Sequence, residues 1–248
     1  MTAVLYATLA SGPCAAVERA LELKRMPYRR VELIPVVHKV QQQLRFGAPS
    51  VPAVAFDDGA RVSGSRAILR ELDRRVAEPA LLPTDEAARP SVERAEEWGD
   101  QVLQPIVRRV VWAALRRRSG ALMSYGDGAK PPIPVPMARL SAPLLTWLAV
   151  RADGAADPAV RADLLALPGH LARVDGWLAE GVLGGEAENA ADLQIASSLR
   201  LLLTIEDVAP LIDARPAGAL ARRVFAHCPG RVPAGVLPAG WVPSSDSP

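Results

Sequence analysis

Short apolar runs and helically spaced apolar residues alternate over the first third of the chain. Residues 3–9 predict a strand, the apolar residues after Ser11-Gly12-Pro13 recur at helical spacing, and residues 28–33 alternate like a second strand. Ser11 or Gly12 can cap this helix, and Pro13 suits its first turn because proline has no N–H to leave unpaired there. The two strands should be parallel, joined by a right-handed crossover.

Four more elements are predicted in this third. They are a short polar helix or loop over residues 38–46, a strand over 51–56 that is entered through Pro52, a hairpin strand over 61–63 after the turn Asp57-Asp58-Gly59, and a helix over 65–76. Gly64 or Ser65 would cap the last helix. The predicted order is β-α-β-α-β-β-α.

Only helices are predicted beyond residue 90. Their predicted ranges are 91–118 with a kink at Pro105, 137–151, 158–180 with an interruption at Leu167-Pro168-Gly169, 190–203 and 217–227. The chain therefore divides into an α/β domain over 1–78, a linker over 79–90, an all-helical domain over 91–228 and a proline-rich tail over 229–248. We expect the tail to be a surface strap anchored by Trp241.

Composition and charge narrow the class of protein. Of 248 residues 43 are alanine and 3 are phenylalanine, which favours aliphatic, helix-rich cores. The 29 basic and 27 acidic residues nearly balance, unlike those of a typical nucleic-acid binder. No stretch reaches the roughly 18 charge-free apolar residues of a membrane helix, and no signal-peptide pattern opens the chain. We therefore expect a soluble cytoplasmic protein without nucleic-acid or membrane partners.

Four short motifs carry candidate chemistry. Ser11 stands between the first strand and the first helix, Val51-Pro52 opens a strand, Gly64 to Leu69 opens a helix, and Asn189 to Asp192 forms a capping box. A helix N-terminus favours an anion because its N–H groups lack partners. A thiolate beside Ser11 would also accept a hydroxyl hydrogen bond, so its pKa should fall. Position alone also allows Ser11 to be a helix cap and nothing more.

Taken together, these motifs resemble the cytosolic glutathione transferases over residues 3–205. LYATLASGPCAAVERAL is similar to the theta-class opening, Val51-Pro52 to the family's cis-proline, SRAIL to its Ser-x-Ala-Ile-Leu helix start, and GGEAENAADLQIA to a segment of its second domain. The resemblance implies a thioredoxin-like N-terminal domain followed by an all-α domain. It also implies a detoxifying transferase that forms homodimers through faces of both domains.

The resemblance assigns roles to individual residues. Ser11 would be catalytic and would stabilise the thiolate of glutathione or of another low-molecular-weight thiol, without a metal. A cis Pro52 would turn the backbone of Val51 toward this cosubstrate. Ser65 would cap its helix, hold a ligand carboxylate, or do both. Further cosubstrate contacts are expected from Arg66, His38 and Lys39. A small electrophile would lie near Leu9, Arg108 and Trp112, although a solvated arginine and a core tryptophan remain alternative interpretations.

Two departures from the family pattern concern the cosubstrate. Gly64 stands where the family has Glu or Gln to bind the glutathione amino group, so that contact is missing. The segment between Leu33 and Val51 is shorter than in theta members, which leaves the alignment of His38 and Lys39 insecure. Either glutathione binds weakly, or another group substitutes, or the thiol is a different one.

Two other functions stay open. Cys14 could support thiol-disulfide exchange, although Ser-Gly-Pro-Cys keeps only the second position of a Cys-x-x-Cys pair and we expect Cys14 to be a buried structural thiol. The fold could also be a non-catalytic binding or scaffold module, which Gly64 makes credible. Cys228, His170 and His227 are isolated and suggest no site.

Overall fold

A computed structural model describes residues 2–33, 38–126 and 135–243, and of residues 38, 40 and 135–138 it describes the backbone only. The N-terminal region follows the predicted order of elements. Its bounds are β1 Ala3–Thr8, α1 Gly12–Leu23, β2 Tyr28–Leu33, α2 His38–Phe46, β3 Ala53–Phe56, β4 Arg61–Ser63 and α3 Ser65–Arg75. The segment 38–46, for which the sequence allows a helix or a loop, is thus the helix α2.

The four strands form one sheet in the order β2-β1-β3-β4. β1 and β2 are parallel, and β1 pairs with β3 in antiparallel register, Leu5 opposite Val54. Since β1 is central, its Ala3, Leu5 and Ala7 are buried. This is the thioredoxin-like arrangement that the sequence predicts, and the carboxyl end of β1 delivers the chain to Ser11.

The long helix after the linker contains a wide turn instead of a simple kink. α4 Arg89–Trp98 and α5 Gln104–Arg117 are joined by a π-helical turn at Gly99–Leu103, in which the Gln104 N–H reaches the Gly99 carbonyl. Pro105 cannot donate to a carbonyl one turn earlier, and a π turn absorbs that loss. A Cβ on Gly99 would lie 2.9 Å from Ile195, so the glycine permits close packing against a later helix.

The other helices are α6 Val135–Ala152, α7 Asp157–Ala179, α8 Ala190–Leu202, α9 Ala209–Asp213 and α10 Pro216–Val224, with a 3₁₀ segment at Ser119–Gly126. The predicted interruption at Leu167-Pro168-Gly169 is wrong, because α7 runs through Pro168 without a break. Leu164, Leu167 and Leu171 are all buried, and their packing holds the helical path despite the missing N–H. The sequence did not predict α9 or the 3₁₀ segment.

α8 lies at the centre of the helical region, as its apolar sequence predicts. The capping box is present: the Asn189 side chain accepts from the Ala191 and Asp192 N–H groups, and Asp192 accepts from the Asn189 N–H. Almost every residue of α8 is buried. A Cβ on Gly12 would lie 3.3 Å from the Ser197 backbone, so the start of α1 rests directly on α8.

The described part of the tail is held by more contacts than the single aromatic anchor that the sequence predicts. Val232 is buried and bridges to Ile205, and the Asp207 carboxylate accepts three successive N–H groups from Gly235, Val236 and Leu237. The Arg117 guanidinium stacks over Trp241 at 4.9 Å from the ring centroid. The strap therefore covers α5 and the end of α8.

Two buried charges tie the regions together. The Lys24 ammonium, with no exposed side-chain surface, donates to Asp73, Val76 and Pro79. The Glu96 carboxylate, also fully buried, accepts from both Nη groups of Arg70 and from Nε of Arg66. Buried charges are retained only when paired and hydrogen-bonded, and both arrangements satisfy that condition. None of the described helices is long and apolar enough to cross a membrane.

Candidate functional site

Ser11 is the N-cap of α1, as the sequence predicts. Its backbone is extended, and its Oγ accepts from the Cys14 N–H at 3.4 Å, which is long for a hydrogen bond. The first helical turn reads Gly-Pro-Cys-Ala and so holds no acidic side chain. The Gly12 N–H is left as a donor at the positive end of the helix dipole. This end of α1 is thus suited to a small anion.

A cavity of about 360 Å³ opens beside Ser11, and we call it the first cavity. It lies between the β1–α1 loop, the segment at Pro49–Val51, the middle of α5 and the end of α6. The predicted site residues in its lining are Leu9, Ser11, Lys39, Val51, Arg108 and Trp112. The sequence motifs therefore converge on one space although they come from four separate elements.

Cationic and aromatic groups face this cavity from opposite sides. Lys39 lies on α2 and is exposed. Arg108 and Trp112 lie one helical turn apart on α5 and line the cavity together, as their spacing predicts. Arg108 is partly neutralised by Asp153, with its Nε 3.2 Å from the carboxylate. Among the described residues Lys39 forms no ion pair, so the cavity is lined by this lysine, by Arg108 paired with Asp153, and by the Trp112 ring.

Three other predicted cosubstrate residues stand outside the described lining of this cavity. The Val51-Pro52 peptide bond is cis, in agreement with the resemblance, but only Val51 reaches the lining. Ser65 is buried and Arg66 pairs with Glu96 and Glu97. The side chain of His38 lies outside the described residues. Roles for Pro52, Ser65, Arg66 and His38 stay predictions.

The cap of α3 is Gly64, and Ser65 is the first helical residue. Gly64 has φ 90° and makes no side-chain cap, a conformation that glycine adopts without steric cost. The alternative in which Ser65 caps its helix is therefore wrong. A Cβ at position 64 would meet no atom within 4 Å, so the backbone conformation is what favours glycine here.

Cys14 is buried, as the sequence predicts, with 1% of its surface exposed. Burial raises the pKa of the Cys14 thiol above its ordinary value, and hydrogen bonds from the Ser11 side chain and the Thr8 backbone oppose that rise. A buried thiol with a raised pKa holds little thiolate at neutral pH. Cys228 also has a pKa raised by burial.

A second cavity of about 460 Å³ lies on the other side of the β1–α1 loop, between α1, α8 and the segment Val224–Pro229. Residues Thr8 to Gly12 line both cavities. Ser11 therefore faces two separate spaces. Arg200 and Arg223 line only the second cavity. Among the described residues, no group of His, Cys, Asp and Glu side chains is placed to hold a metal ion.

Comparison with protein families decides the class of the first region. Residues 5–80 match the family model "Glutathione S-transferase, N-terminal domain". The N-terminal region belongs to this family. The resemblance read from the sequence is thereby confirmed for the region that carries Ser11, Val51 and the start of α3.

Solved structures extend the glutathione transferase fold to the helical region. A glutathione S-transferase from Rhodospirillum rubrum F11 has a TM-score of 0.60 and 21% identity, with 94% of this chain and 97% of that chain covered. A glutathione S-transferase from Methylobacillus flagellatus KT, with GSH bound, has a TM-score of 0.58 and 18% identity. The alignment covers 90% of this chain and 93% of that chain. FzlA from C. crescentus has 0.59 and 18%, with both chains fully covered. The search of curated proteins gave no match.

Sequence reasoning missed part of this candidate site. Ala149, Ala152 and Asp153 at the end of α6 close the first cavity, but nothing in their spacing indicates that α6 folds back onto α5. Arg200 and Arg223 were missed because they lie on different helices. The only available signal was that Arg200 interrupts the apolar sequence of α8.

Proposed function

We propose that the protein is a glutathione transferase-like enzyme in which Ser11 stabilises the thiolate of glutathione or of another low-molecular-weight thiol. The observation that carries the proposal is the position of Ser11, which caps α1 at a cavity shared with Lys39, Val51, Arg108 and Trp112. Solved relatives of the same fold have GSH bound. That ligand fits the anion-binding character of the α1 N-terminus.

The reaction would be attack of the thiolate sulfur on a small electrophile. The S–H proton goes to solvent, a sulfur–carbon bond forms, and in a substitution the leaving group departs with its electron pair. The Ser11 hydroxyl lines the first cavity, where it would donate to a bound thiolate. Hydrogen bonds to an ionised acceptor are about twice as strong as those between neutral groups.

The proposal is tested by titrating the protein with glutathione and other cellular thiols, followed by a conjugation assay. Ser11→Ala should raise the pKa of the bound thiol by about one unit, since one hydrogen bond to the charged form is lost. Conjugation at neutral pH should fall about tenfold. Ser91→Ala, at a half-buried serine of α4 that lines neither cavity, is the matched control. If no thiol binds at millimolar concentration, the proposal fails.

A non-catalytic binding module is the second candidate, and two observations favour it. Gly64 offers no side chain to an amino group, and the Arg66 guanidinium is already paired with Glu96. A cosubstrate would therefore lose two contacts at the start of α3. This candidate predicts neither thiol binding nor conjugation. The reductase alternative has less support, because Cys14 is buried with a raised pKa.

Three expectations from the resemblance belong to the same proposal. They are the division into domains 1–78 and 91–228, assembly into a homodimer, and a cytoplasmic location. Light scattering combined with size-exclusion chromatography tests the dimer directly. A monomer of 26.4 kDa at micromolar concentration would overturn that expectation and leave the catalytic proposal standing.

A further inference from the structure

The acidic side chains around the first cavity already have cationic or polar partners. Asp153 is the only acid in its described lining, and its carboxylate lies 3.2 Å from Nε of Arg108. Asp100, two turns before Arg108 along the same helical run, accepts from the Gln194 amide at 3.2 Å, and the charge of Arg108 acts on it. Within the part of the chain that the structure describes, no carboxylate of this cavity is left free for a positively charged ligand group.

The start of α3 adjoins the wall of this cavity that residues 49–51 form. The Gly64 N–H donates to the Pro52 carbonyl at 2.9 Å, and the hydroxyls of Ser50 and Ser63 lie 3.4 Å apart. These two contacts hold the first turn of α3 directly behind the wall. A ligand that extends from Ser11 along this wall therefore approaches the side chains around the start of α3.

The acidic side chains around the start of α3 are engaged in the same way. The buried Glu96 carboxylate accepts from Nε of Arg66 and from both Nη groups of Arg70. Glu97 lies 3.6 Å from the Arg66 guanidinium and accepts from the Gln101 amide. An ammonium group placed here would meet a guanidinium whose acidic partners are already occupied.

Positive charge, in contrast, is left uncompensated in the first cavity. Lys39 lines the cavity, is exposed, and forms no ion pair among the described residues. The first turns of α1, α2 and α3 hold no acidic side chain, so the N–H groups beside Ser11 keep their positive potential. The electrostatic potential of the site therefore favours carboxylates and opposes an ammonium group.

We infer that the cosubstrate is a thiol recognised through its carboxylates, and that a free ammonium group on the thiol lowers its affinity. This inference rests on the proposed function, since it names the class of thiol for the same site. The class comprises carboxylate-bearing thiols whose amino group is absent or acylated. Glutathione, with two carboxylates and one ammonium group, would be used but not preferred. The missing contact at Gly64 thus selects among thiols instead of excluding all of them.

Two analogues of glutathione, each lacking one charged group, test the inference. Glutaryl-Cys-Gly has hydrogen in place of the ammonium group, and 4-aminobutanoyl-Cys-Gly has hydrogen in place of the neighbouring carboxylate. With 1-chloro-2,4-dinitrobenzene the thiol proton passes to solvent, the sulfur bonds to the ring carbon, and chloride leaves with the bonding electrons. Relative to each uncatalysed rate, kcat/KM for glutaryl-Cys-Gly should equal or exceed that for glutathione. For 4-aminobutanoyl-Cys-Gly it should be about fivefold lower than for glutathione, as for the loss of an exposed ion pair.

Variants of α2 connect this preference to the charge of the cavity. Lys39→Met should lower the ratio of kcat/KM between the glutaryl and 4-aminobutanoyl compounds about fivefold, Lys39→Glu should lower it further, and Lys39→Arg should retain it. Arg45→Met is the matched control, because the Arg45 guanidinium lies over the Tyr6 ring and outside the cavity lining, and it should leave the ratio unchanged. Both positions are exposed, so thermal melting should find every variant folded.

A binding measurement separates this inference from the proposed function. The S-methyl derivatives of the three compounds cannot react, so calorimetry measures their binding without turnover. Binding of the S-methyl glutaryl compound that Lys39→Met weakens, with no conjugation of any thiol, would support the inference and contradict the proposed function. A kcat/KM more than about twofold lower for glutaryl-Cys-Gly than for glutathione, or a ratio that neither Lys39→Met nor Lys39→Glu changes, would overturn the inference while the proposed function survives. If none of the compounds binds at millimolar concentration, both fail.

Discussion

The hydroxyl of Ser11 is held by one long hydrogen bond. It accepts from the Cys14 N–H at 3.4 Å. The cap is weak at that distance, so its loss should cost the protein little, near the lower end of the roughly 0.5–2 kcal/mol that a cap contributes. The hydroxyl is thus available for a ligand without loss of the helix start.

At the same scale, Cys14 should react slowly with a thiol-specific disulfide reagent. Its pKa is raised by burial, so the thiolate fraction at neutral pH is below that of a free cysteine, and the reagent has no path to a side chain 1% exposed. In a Cys228→Ser variant, modification at pH 7 should be at least about a hundredfold slower than in denaturant. Rapid modification of the folded protein would revive the reductase alternative.

Tyr125 should make the protein sensitive to alkaline pH. Burial raises the pKa of Tyr125 to about 12 from 10.0, and its hydroxyl pairs with Thr204 at 2.6 Å. Because the pKa of Tyr125 is higher in the folded state than in the unfolded state, the free energy of unfolding keeps its full value below pH 10. It falls as the pH rises toward 12. The free energy of unfolding of the wild type, measured in urea, should fall by roughly 2–3 kcal/mol across this window. That of Tyr125→Phe should fall less. If the free energies of the two proteins fell in parallel with pH, the prediction would be contradicted.

At the scale of elements, the start of α1 is positioned by its contact with α8. A Cβ on Gly12 would meet the Ser197 carbonyl and the Ser198 N at 3.3 Å. Gly12→Ala should therefore lower the free energy of unfolding by about 1–2 kcal/mol and weaken thiol binding, because the N-terminus of α1 must shift. Gly169→Ala, exposed and unobstructed within α7, should instead stabilise by up to about 1 kcal/mol.

Denaturation midpoints and thiol titration of the two variants check this prediction together. A Gly12→Ala variant as stable as the wild type would show that α1 and α8 adjust freely. Unchanged thiol binding in a destabilised Gly12→Ala variant would show that the position of α1 does not control the site.

Local sequence patterns predicted the helices and strands well where neighbouring residues alone determine the structure. The alternation of residues 28–33 gave β2 with its bounds, and Asn189 to Asp192 gave the start of α8. Prediction failed where packing between distant segments outweighs local propensity. Pro168 stays inside α7 because the buried leucines around it hold the helix, and the five-residue α9 has no periodicity to detect.

For the candidate site, the sequence identified groups in the β1–α1 loop, on α2, just before β3 and on α5. It could not identify those on α6, α8 and α10, since their approach to the cavities depends on helix packing. Arg66 shows that a local motif can also suggest a contact that long-range packing opposes. Its motif suggests a cosubstrate contact, but the buried Glu96 thirty residues away pairs with it.

At the scale of the whole molecule, Lys24 links the sheet to the helices. Its ammonium, fully buried, bonds Asp73 at 2.5 Å and the carbonyls of Val76 and Pro79 at 2.6 Å. Asp73 in turn accepts from the N–H groups of Leu81 and Leu82, and the Leu81 carbonyl accepts from the Ala190 N–H at the start of α8. One connected set of hydrogen bonds therefore runs from the end of α1 through the linker to α8.

Lys24→Met should consequently destabilise both regions together. Removing the ammonium leaves Asp73 without its buried cation and the Val76 and Pro79 carbonyls without that donor, which should cost about 3–5 kcal/mol. All five tryptophans lie beyond residue 90, so their fluorescence follows the helical region although Lys24 lies outside it. The buried apolar core is continuous across both regions, and the fluorescence midpoint in urea should therefore fall with the circular dichroism midpoint.

Lys39→Met, at an exposed lysine, is the control. By either signal it should change the free energy of unfolding by no more than about 0.5 kcal/mol. A fluorescence midpoint that stays at the wild-type value in Lys24→Met would mean that the helical region unfolds independently of the sheet.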